Sequence, residues 1–460
     1  MSFELEWKVG MLAMNQKKKS LLGKYLLMTL PLGLQSMITS LVNTVDTLMI
    51  GQIGDLELSA IGLVNQIYFI LTLMIVGTIS GATIFMSQFY GKHDVEGMRM
   101  SASLASVVVY GVSAIFMIGG ICFPEILLSL FSKEEDLIIC AVDYFKVVAV
   151  SYLAAGFSQI CNMVLKNIGK MHIPLYTTIA AILMNIVLNY VLIFGHFGFR
   201  AMGVVGAAIG TLIARIFEAI ILCFCVYKKE REYAPHFSDL KKVTKGFVKQ
   251  FAFIALPVSI SETIWSIGTS CYSLVYYHMG YEYGAAVNIA KVVEQLLCCF
   301  FKGGGQAGAI ILGRFLGEDK NGEAVWSARK MAFYNTVAGL IIGIGMFGAA
   351  KQILSFYNVS AQVRETAIMM LQYMAIMMPL RGYAWLHISS TLRAGGDTKT
   401  CMLIDNVTVW LVGIPFAFIT GYFLNLGIEV VYLCVVLDDV TKAILCALRV
   451  RSRKWIKSLT

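Results

Sequence analysis

Charge is scarce in this sequence: Asp, Glu, Lys and Arg together make up 14% of its 460 residues, against about 25% in soluble globular proteins. A soluble reading would need about three domains of roughly 150 residues each, and 65 charged side chains cannot cover three such surfaces. Metal and disulfide chemistry lacks its spacings as well. The eleven cysteines contain no CxxC pair and the six histidines no HExxH pair, which argues against a zinc site, a disulfide framework and metal-assisted hydrolysis. No basic face of the kind that binds nucleic acid is present either: the positive residues behind the net charge of +9 sit in short loops between apolar runs.

What fills the chain is apolar residues, 58% of the total. They fall into twelve runs of helical membrane-spanning length, at 25–50, 58–80, 102–125, 139–163, 174–195, 203–226, 251–276, 284–310, 329–350, 366–389, 401–423 and 428–448. Runs this long exclude a membrane β-barrel, whose strands alternate over about 10 residues. The first run follows Lys17, Lys18, Lys19 and Lys24 and is long enough to span, so it reads as a retained helix rather than a cleaved signal. An all-α, multi-pass protein of the cell membrane is expected, with the lipid bilayer as its main partner and no nucleic acid.

The loops orient it. With the N-terminus inside, the inner segments hold 28 Lys or Arg and the outer loops four, Lys133, Arg200, Lys351 and Arg364. Retained positive charge in short loops sets topology, which places both termini in the cytoplasm. The inner loop around 227–249 is the most charged and divides the chain into halves at 1–226 and 250–460. The halves repeat. Residues 30–102 and 256–328, shifted by 226, share fourteen identities in 73 ungapped positions, among them Pro31/Pro257, Gly54/Gly280, Gly77/Gly303 and Gly91/Gly317. Further on, Leu165-Lys166 and Gly169 answer Leu392-Arg393 and Gly396 with one residue inserted. Six spans per half is an even number, so the copies enter the membrane in the same sense, as two pseudo-symmetric six-helix bundles. Parallel repeats of this kind characterise transporters with a site between the halves, although a duplication can also build a mere scaffold.

Polar stripes mark the first span of each half. Gln35, Thr39, Asn43 and Asp46 share one helical face, and Ser259, Glu262, Ser266, Thr269 and Ser273 share another. Ser and Thr can be interhelical glue. An acid in hydrocarbon needs a partner or a proton, which makes Asp46 and Glu262 candidates for ion coupling or substrate binding. The alternatives are a water-held acid at a helix end for Asp46 and a structural ion pair for Glu262. Trp265, Tyr272 and Tyr276 could offer ring faces to an organic cation or anchor an interface. Arg215 with Glu218, and Lys291 with Glu294, stand three apart and can neutralise each other on one face. Arg381 lies between Pro379 and Gly382, as a hinge or as a partner of Glu262 or Asp405. Asp438 and Asp439 read as surface or capping groups, and Pro31, Pro257 and Pro415 as flexible points or ordinary kinks. An embedded enzyme would need an intramembrane histidine with an acid or a nucleophile constellation, and His387, the one histidine well inside a span, is expected to have no partner at helical spacing.

Several segments resemble the multidrug and toxic compound extrusion (MATE) family: Leu30-Pro31 through Val45-Asp46-Thr47 to Gly51, Phe89-Tyr90-Gly91, Asn185 to Asn189-Tyr190, Leu392-Arg393-Ala394-Gly395-Gly396-Asp397-Thr398, and Trp410 to Pro415. The resemblance covers essentially the whole chain. It implies two six-helix lobes forming a V around a central cavity, and an antiporter that exports amphipathic cations in exchange for H⁺ or Na⁺, as a monomer and with no cofactor or resident metal. Asp46 matches the family's first-helix coupling acid. Asn185 and Asn189 match the helix-five asparagines of the sodium-coupled branch. Glu262 lies on the helix that carries an acid in that branch, but nearer the proline. Span ten has no acid within 366–389 where that branch has one, and helix five lacks the second aspartate of archaeal-type proton-coupled members. The rival within the same superfamily is a lipid-linked oligosaccharide flippase, which would want a basic cavity. Asp46 and Glu262 make an acidic one the expectation, lined also by Gln35, Thr39, Asn43, Asn185, Asn189, Trp265, Ser266 and Tyr272.

Overall fold

The computed structural model describes residues 21–357 and 359–460, apart from the side chains of Val42, Asn43, Thr44, Thr47 and Leu48. Twelve long helices follow one another: α1 Leu21–Gly51, α2 Asp55–Gly91, α3 Val95–Cys122, α4 Glu135–Asn167, α5 His172–Phe194, α6 Gly203–Lys229, α7 Lys245–Met279, α8 Tyr281–Gly317, α9 Asn321–Ser355, α10 Ala361–Leu386, α11 Thr398–Phe423 and α12 Ile428–Arg451. Each overlaps one apolar run and most overrun it, because a helix stays hydrogen-bonded past the edge of its apolar stretch until a cap or turn residue stops it. Asp94 caps α3 by accepting from Gly97 N at 2.9 Å, and Thr244 caps α7 by accepting from Phe247 N at 3.2 Å.

The repeat is written into the backbone. Asp55 and Tyr281, Val95 and Asn321, Glu135 and Ala361, and His172 and Thr398 open matching helices, each pair 226 residues apart. Matching turns share even their unusual conformations: His93 and Asp319 adopt left-handed φ of 59° and 55°, and Gly169 and Gly396 adopt 90° and 71°.

Ten of the twelve helices are long and apolar enough by themselves to cross a membrane. The other two, α10 and α12, are long enough but carry charge, and that charge is turned inward: Arg381 of α10 pairs with Asp439 of α12 at 2.6 Å, and Lys442 of α12 pairs with Asp405 of α11 at 2.8 Å. Neutralisation inside the bundle lets two polar helices sit among apolar ones.

Each lobe has its own core, around Phe85, Phe145 and Tyr152 in the first and around Tyr276, Phe301 and Leu371 in the second. The stretch between α6 and α7 is not a bare tether. Ser103 Oγ donates to His236 O at 3.0 Å, Lys242 pairs with Glu96 at 2.9 Å, and Lys170 pairs with Glu230, all of which hold it to the first lobe.

Candidate functional site, a cavity with a symmetric floor

The lobes meet through α1 and α2 of one and α7 and α8 of the other, and the contact obeys the repeat. Gly77 lies so close to Ser259 that an added Cβ would stand 2.6 Å from its Cα; the repeat-related pair, Gly303 and Gly33, shows the same approach at 2.5 Å from Gly33 N. Gly91 abuts Arg314 O and Gly317 abuts Gln88 O, again the same contact twice. Arg314 Nη2 donates to Asn167 O at 2.6 Å, and its counterpart Gln88 Nε2 donates to Ala394 O at 2.8 Å. Lys166 Nζ approaches Gln306 Oε1 at 3.5 Å, and its counterpart Arg393 Nη1 approaches Ser80 Oγ at 3.4 Å. Ser87 and Gly313, themselves repeat partners, face each other across the axis. Fused halves therefore meet as a two-fold dimer does, with one patch used twice.

These contacts gather toward the end of the bundle where the Lys- and Arg-rich loops lie, and the 455–460 segment reinforces them. Trp455 is buried there, Gln88 Nε2 also reaches Lys457 O at 3.3 Å, Leu459 N donates to Gln88 Oε1 at 2.8 Å, and Gln250 Nε2 donates to Leu459 O at 3.1 Å. Above this floor the lobes enclose a cavity of about 920 Å³.

Its walls break the symmetry. On the first lobe Asp46 of α1 faces the cavity; Asn189 Nδ2 of α5 donates to its carboxylate at 3.0 Å, and Asn185, with its amide nitrogen turned to the acid, donates to both oxygens at 3.0 and 3.2 Å. Among the described residues no base pairs with Asp46. Deeper in the same wall Gln35 Nε2 donates to Thr178 Oγ1 at 3.0 Å, and Thr178 donates in turn to Glu218 at 3.0 Å. On the second lobe the acids are tied. Glu262 accepts from Arg393 at 2.9 Å, Arg381 bridges Glu294 and Asp439, and Asp405 holds Lys442. Asp438, by contrast, is only approached by Tyr272 Oη at 3.5 Å. The wide π-helical turn Thr408–Gly413 in α11 makes room for that tyrosine, whose hydroxyl sits where a Cβ on Gly413 would.

Of the residues singled out from the sequence, Gln35, Thr39, Asp46, Asn185, Glu262, Trp265, Tyr272 and Arg381 line the cavity, and Asn189 stands behind Asp46. Ser266 does not line it; its carbonyl accepts from Thr269 and Ser270 within its own helix. The side chain of Asn43 lies outside the described residues. Pro31, Pro257 and Pro379 sit inside unbroken helices, and Pro379 packs against α9 at Gly339.

Other expectations are corrected as well. Arg215 turns to Tyr68, its guanidinium 4.4 Å above the ring, while Glu218 takes Thr178, so that pair does not close on itself. Lys291 likewise donates to Ser273 at 2.9 Å and leaves Glu294 to Arg381. Arg381 pairs with neither Glu262 nor Asp405. Asp438 and Asp439 are cavity groups rather than surface caps. For Arg215 and Lys291 a partner on a facing helix offers better geometry than one three residues along the same helix, whose long side chains must bend to meet. The cavity is not acidic either. Seven acids line it, and so do seven bases, Lys166, Arg215, Lys291, Lys302, Arg381, Arg393 and Lys442. Three of these, Lys166, Arg393 and Lys442, read from the sequence as inner-loop charges. The repeat pair Lys166/Arg393 was the available sign that they belong to the site. His387, against the expectation that it has no partner at helical spacing, is buried with Nδ1 at 3.0 Å from Thr391 Oγ1 one turn on, where the wide π-helical turn His387–Leu392 brings the hydroxyl to the ring.

Twelve membrane-length helices, in two repeated bundles closed at one end around a polar cavity, define a membrane transporter. The MatE family profile matches residues 31–191 and again 257–419, one copy per lobe. The chain belongs to the MatE family. It is 24% identical over 441 residues to an uncharacterized transporter, YisQ, of Bacillus subtilis, covering 94% of both chains. It is 23% identical to a probable multidrug resistance protein, NorM, of Thermotoga maritima, covering 94% of this chain and 92% of that one. In fold it is similar to a solved structure described as the outward-facing conformation of a multidrug resistance MATE family transporter of the MOP superfamily, with a TM-score of 0.86, 18% identity, and coverage of 94% of this chain and 95% of that one.

Proposed function

We propose that the protein is a secondary active multidrug exporter of the cell membrane, which expels amphipathic cations in exchange for inward H⁺ or Na⁺ by alternating access of the two lobes. The observation that carries this reading is Asp46: a carboxylate in a membrane cavity, held by two amide donors and, among the described residues, in no ion pair. Amides orient the acid without neutralising it, so its charge is available to a cation. Substrate and coupling ion then compete for one carboxylate, and a gradient of one drives the other provided that their occupancies favour different lobe arrangements by a few kcal/mol.

The 28-to-4 asymmetry of Lys and Arg puts the floor and both termini on the cytoplasmic side, which makes the present arrangement the outward-open one. Trp265 and Tyr272 border the same cavity and supply ring faces for an organic cation. The cavity is complete within one chain, so a monomer suffices.

Reconstituted vesicles with imposed H⁺ or Na⁺ gradients, loaded with a fluorescent cation, test this. Gradient-driven efflux is expected in the wild type and its loss in Asp46→Asn. Efflux that keeps its rate and ion dependence in that variant would remove Asp46 from the mechanism.

A further inference from the structure

The reasoning that singles out Asp46 applies equally to a base. An ammonium group in a membrane cavity is costly unless something negative meets it. Of the seven bases lining the cavity, Arg381, Arg393 and Lys442 are spent on carboxylates, Arg215 is stacked on Tyr68, and Lys291 is bonded to Ser273. Two remain. Lys302 lines the cavity and makes no ion pair among the described residues. Among the described residues Lys166, from the opposite lobe, has one hydrogen-bond partner, the neutral Gln306 at 3.5 Å. Glu218, whose charge acts on Lys166 from a distance, takes its hydrogen bond from Thr178 and makes no ion pair with Lys166 among the described residues. Gln306 stands four residues after Lys302 on α8, so it shares that lysine's helical face one turn on. Two ammonium groups without an ion pair among the described residues, one from each lobe, thus line the stretch of the cavity around Gln306.

We propose that Lys166 and Lys302 form a binding site for an anionic group of the substrate, a carboxylate, sulfonate or phosphate, with Gln306 as a neutral neighbour. Asp46 lies at a separate place in the same cavity, beside Asn185 and Asn189. The favoured cargo is therefore a zwitterionic amphiphile, its cation at Asp46 and its anion at the two lysines. The balance of seven acids and seven bases fits such a cargo, since a purely cationic one would leave the lysines unmet. Because the site joins the lobes across the cavity, an anion bound there contacts both. This inference rests on the transporter reading for its physiological meaning, but not for its binding chemistry.

The test is equilibrium binding to purified protein, without any gradient, of a rhodamine bearing a free carboxylate and of its methyl ester. The acid is expected to bind the wild type more tightly than the ester. Lys166→Gln and Lys302→Gln should each weaken the acid about tenfold or more while leaving the ester unchanged, as expected for the loss of a charge-assisted hydrogen bond. Lys302→Arg should restore the preference. In the wild type, which needs no variant to fold, sulfate should compete with the acid and not with the ester. Equal weakening of both dyes, indifference of both dyes to the substitutions, or equal competition by sulfate would each overturn the proposal. Since no transport is measured, failed vesicle efflux would sink the antiporter reading and leave this site standing.

Discussion

The floor of the cavity and its walls are made from the same duplicated helices, yet only the floor keeps the duplication. At the floor Gly91 and Gly317, Gln88 and Arg314, and Lys166 and Arg393 play equivalent parts. In the walls, among the described residues, the first lobe leaves Asp46 and Glu218 out of ion pairs, while the second ties four of its five acids into them. The contrast separates two duties. A gate that opens and closes by rocking gains from a two-fold seam, because one movement breaks every contact on both sides at once. Binding and coupling gain from difference, because one lobe can change charge while the other keeps its shape.

The largest effect is expected in the tied lobe. Arg381→Gln leaves Glu294 and Asp439 in the bundle without a base, a loss of about 3–5 kcal/mol for a broken buried pair, to be read from thermal unfolding in detergent. Asp46→Asn, in the untied lobe, should leave the melting temperature within a few degrees of wild type; an equal drop in both would erase the distinction between the walls.

Next comes the seam. Gly91→Val and Gly317→Val each drive a side chain into a backbone carbonyl, so each should oppose floor closure by about 1–3 kcal/mol. Ser87 is buried on the axis. A cysteine placed there, in a background without other reactive thiols, should react with a maleimide roughly 5–150-fold faster in either variant, that range being the free-energy cost restated. Unequal rates would show that the seam is symmetric in shape but not in energy.

A gentler cut is Gln88→Ala, which removes the donor to Ala394 and frees the 457–459 stretch. It should cost the closed floor about 1 kcal/mol and expose that stretch to limited proteolysis. Smallest of all, Thr178→Val withdraws one donor from Glu218 and should shift cation affinity by about fivefold at most, on the scale of one hydrogen bond. A larger change would mean that Glu218 itself shares the coupling role.

Much of this architecture was legible before any coordinates. Apolar run length marks helices in a bilayer because every backbone group there must be satisfied within its own segment, and Pro31/Pro257 or Gly77/Gly303 matched in register because the same backbone approaches recur. Asp46 stood out as an acid on an apolar helix and Asn185 and Asn189 through the family resemblance, and the three converge. Charge partnership was another matter. Spacing along a helix offers Glu218 to Arg215 and Glu294 to Lys291, but facing helices offer Tyr68 and Arg381, and no periodicity records which helices face each other. Arg393 looks like an ordinary loop charge because it lies past the end of its apolar run, and Lys442 like a helix-end charge because it stands near the inner end of the last run. Lys166 looks the same, yet its place is set by the seam, where the one-residue insertion in the second half aligns it with Arg393.

The claim at the centre is that Asp46 trades its coupling ion for the substrate's cation. Calorimetry of a lipophilic cation binding to the purified protein, in buffers of different ionisation enthalpy and at several Na⁺ concentrations, counts what leaves as the cation enters. The account predicts that wild type gives up about one H⁺ per cation bound, or else loses affinity in proportion to Na⁺, and that Asp46→Asn does neither. The same ion displacement surviving in Asp46→Asn would contradict it.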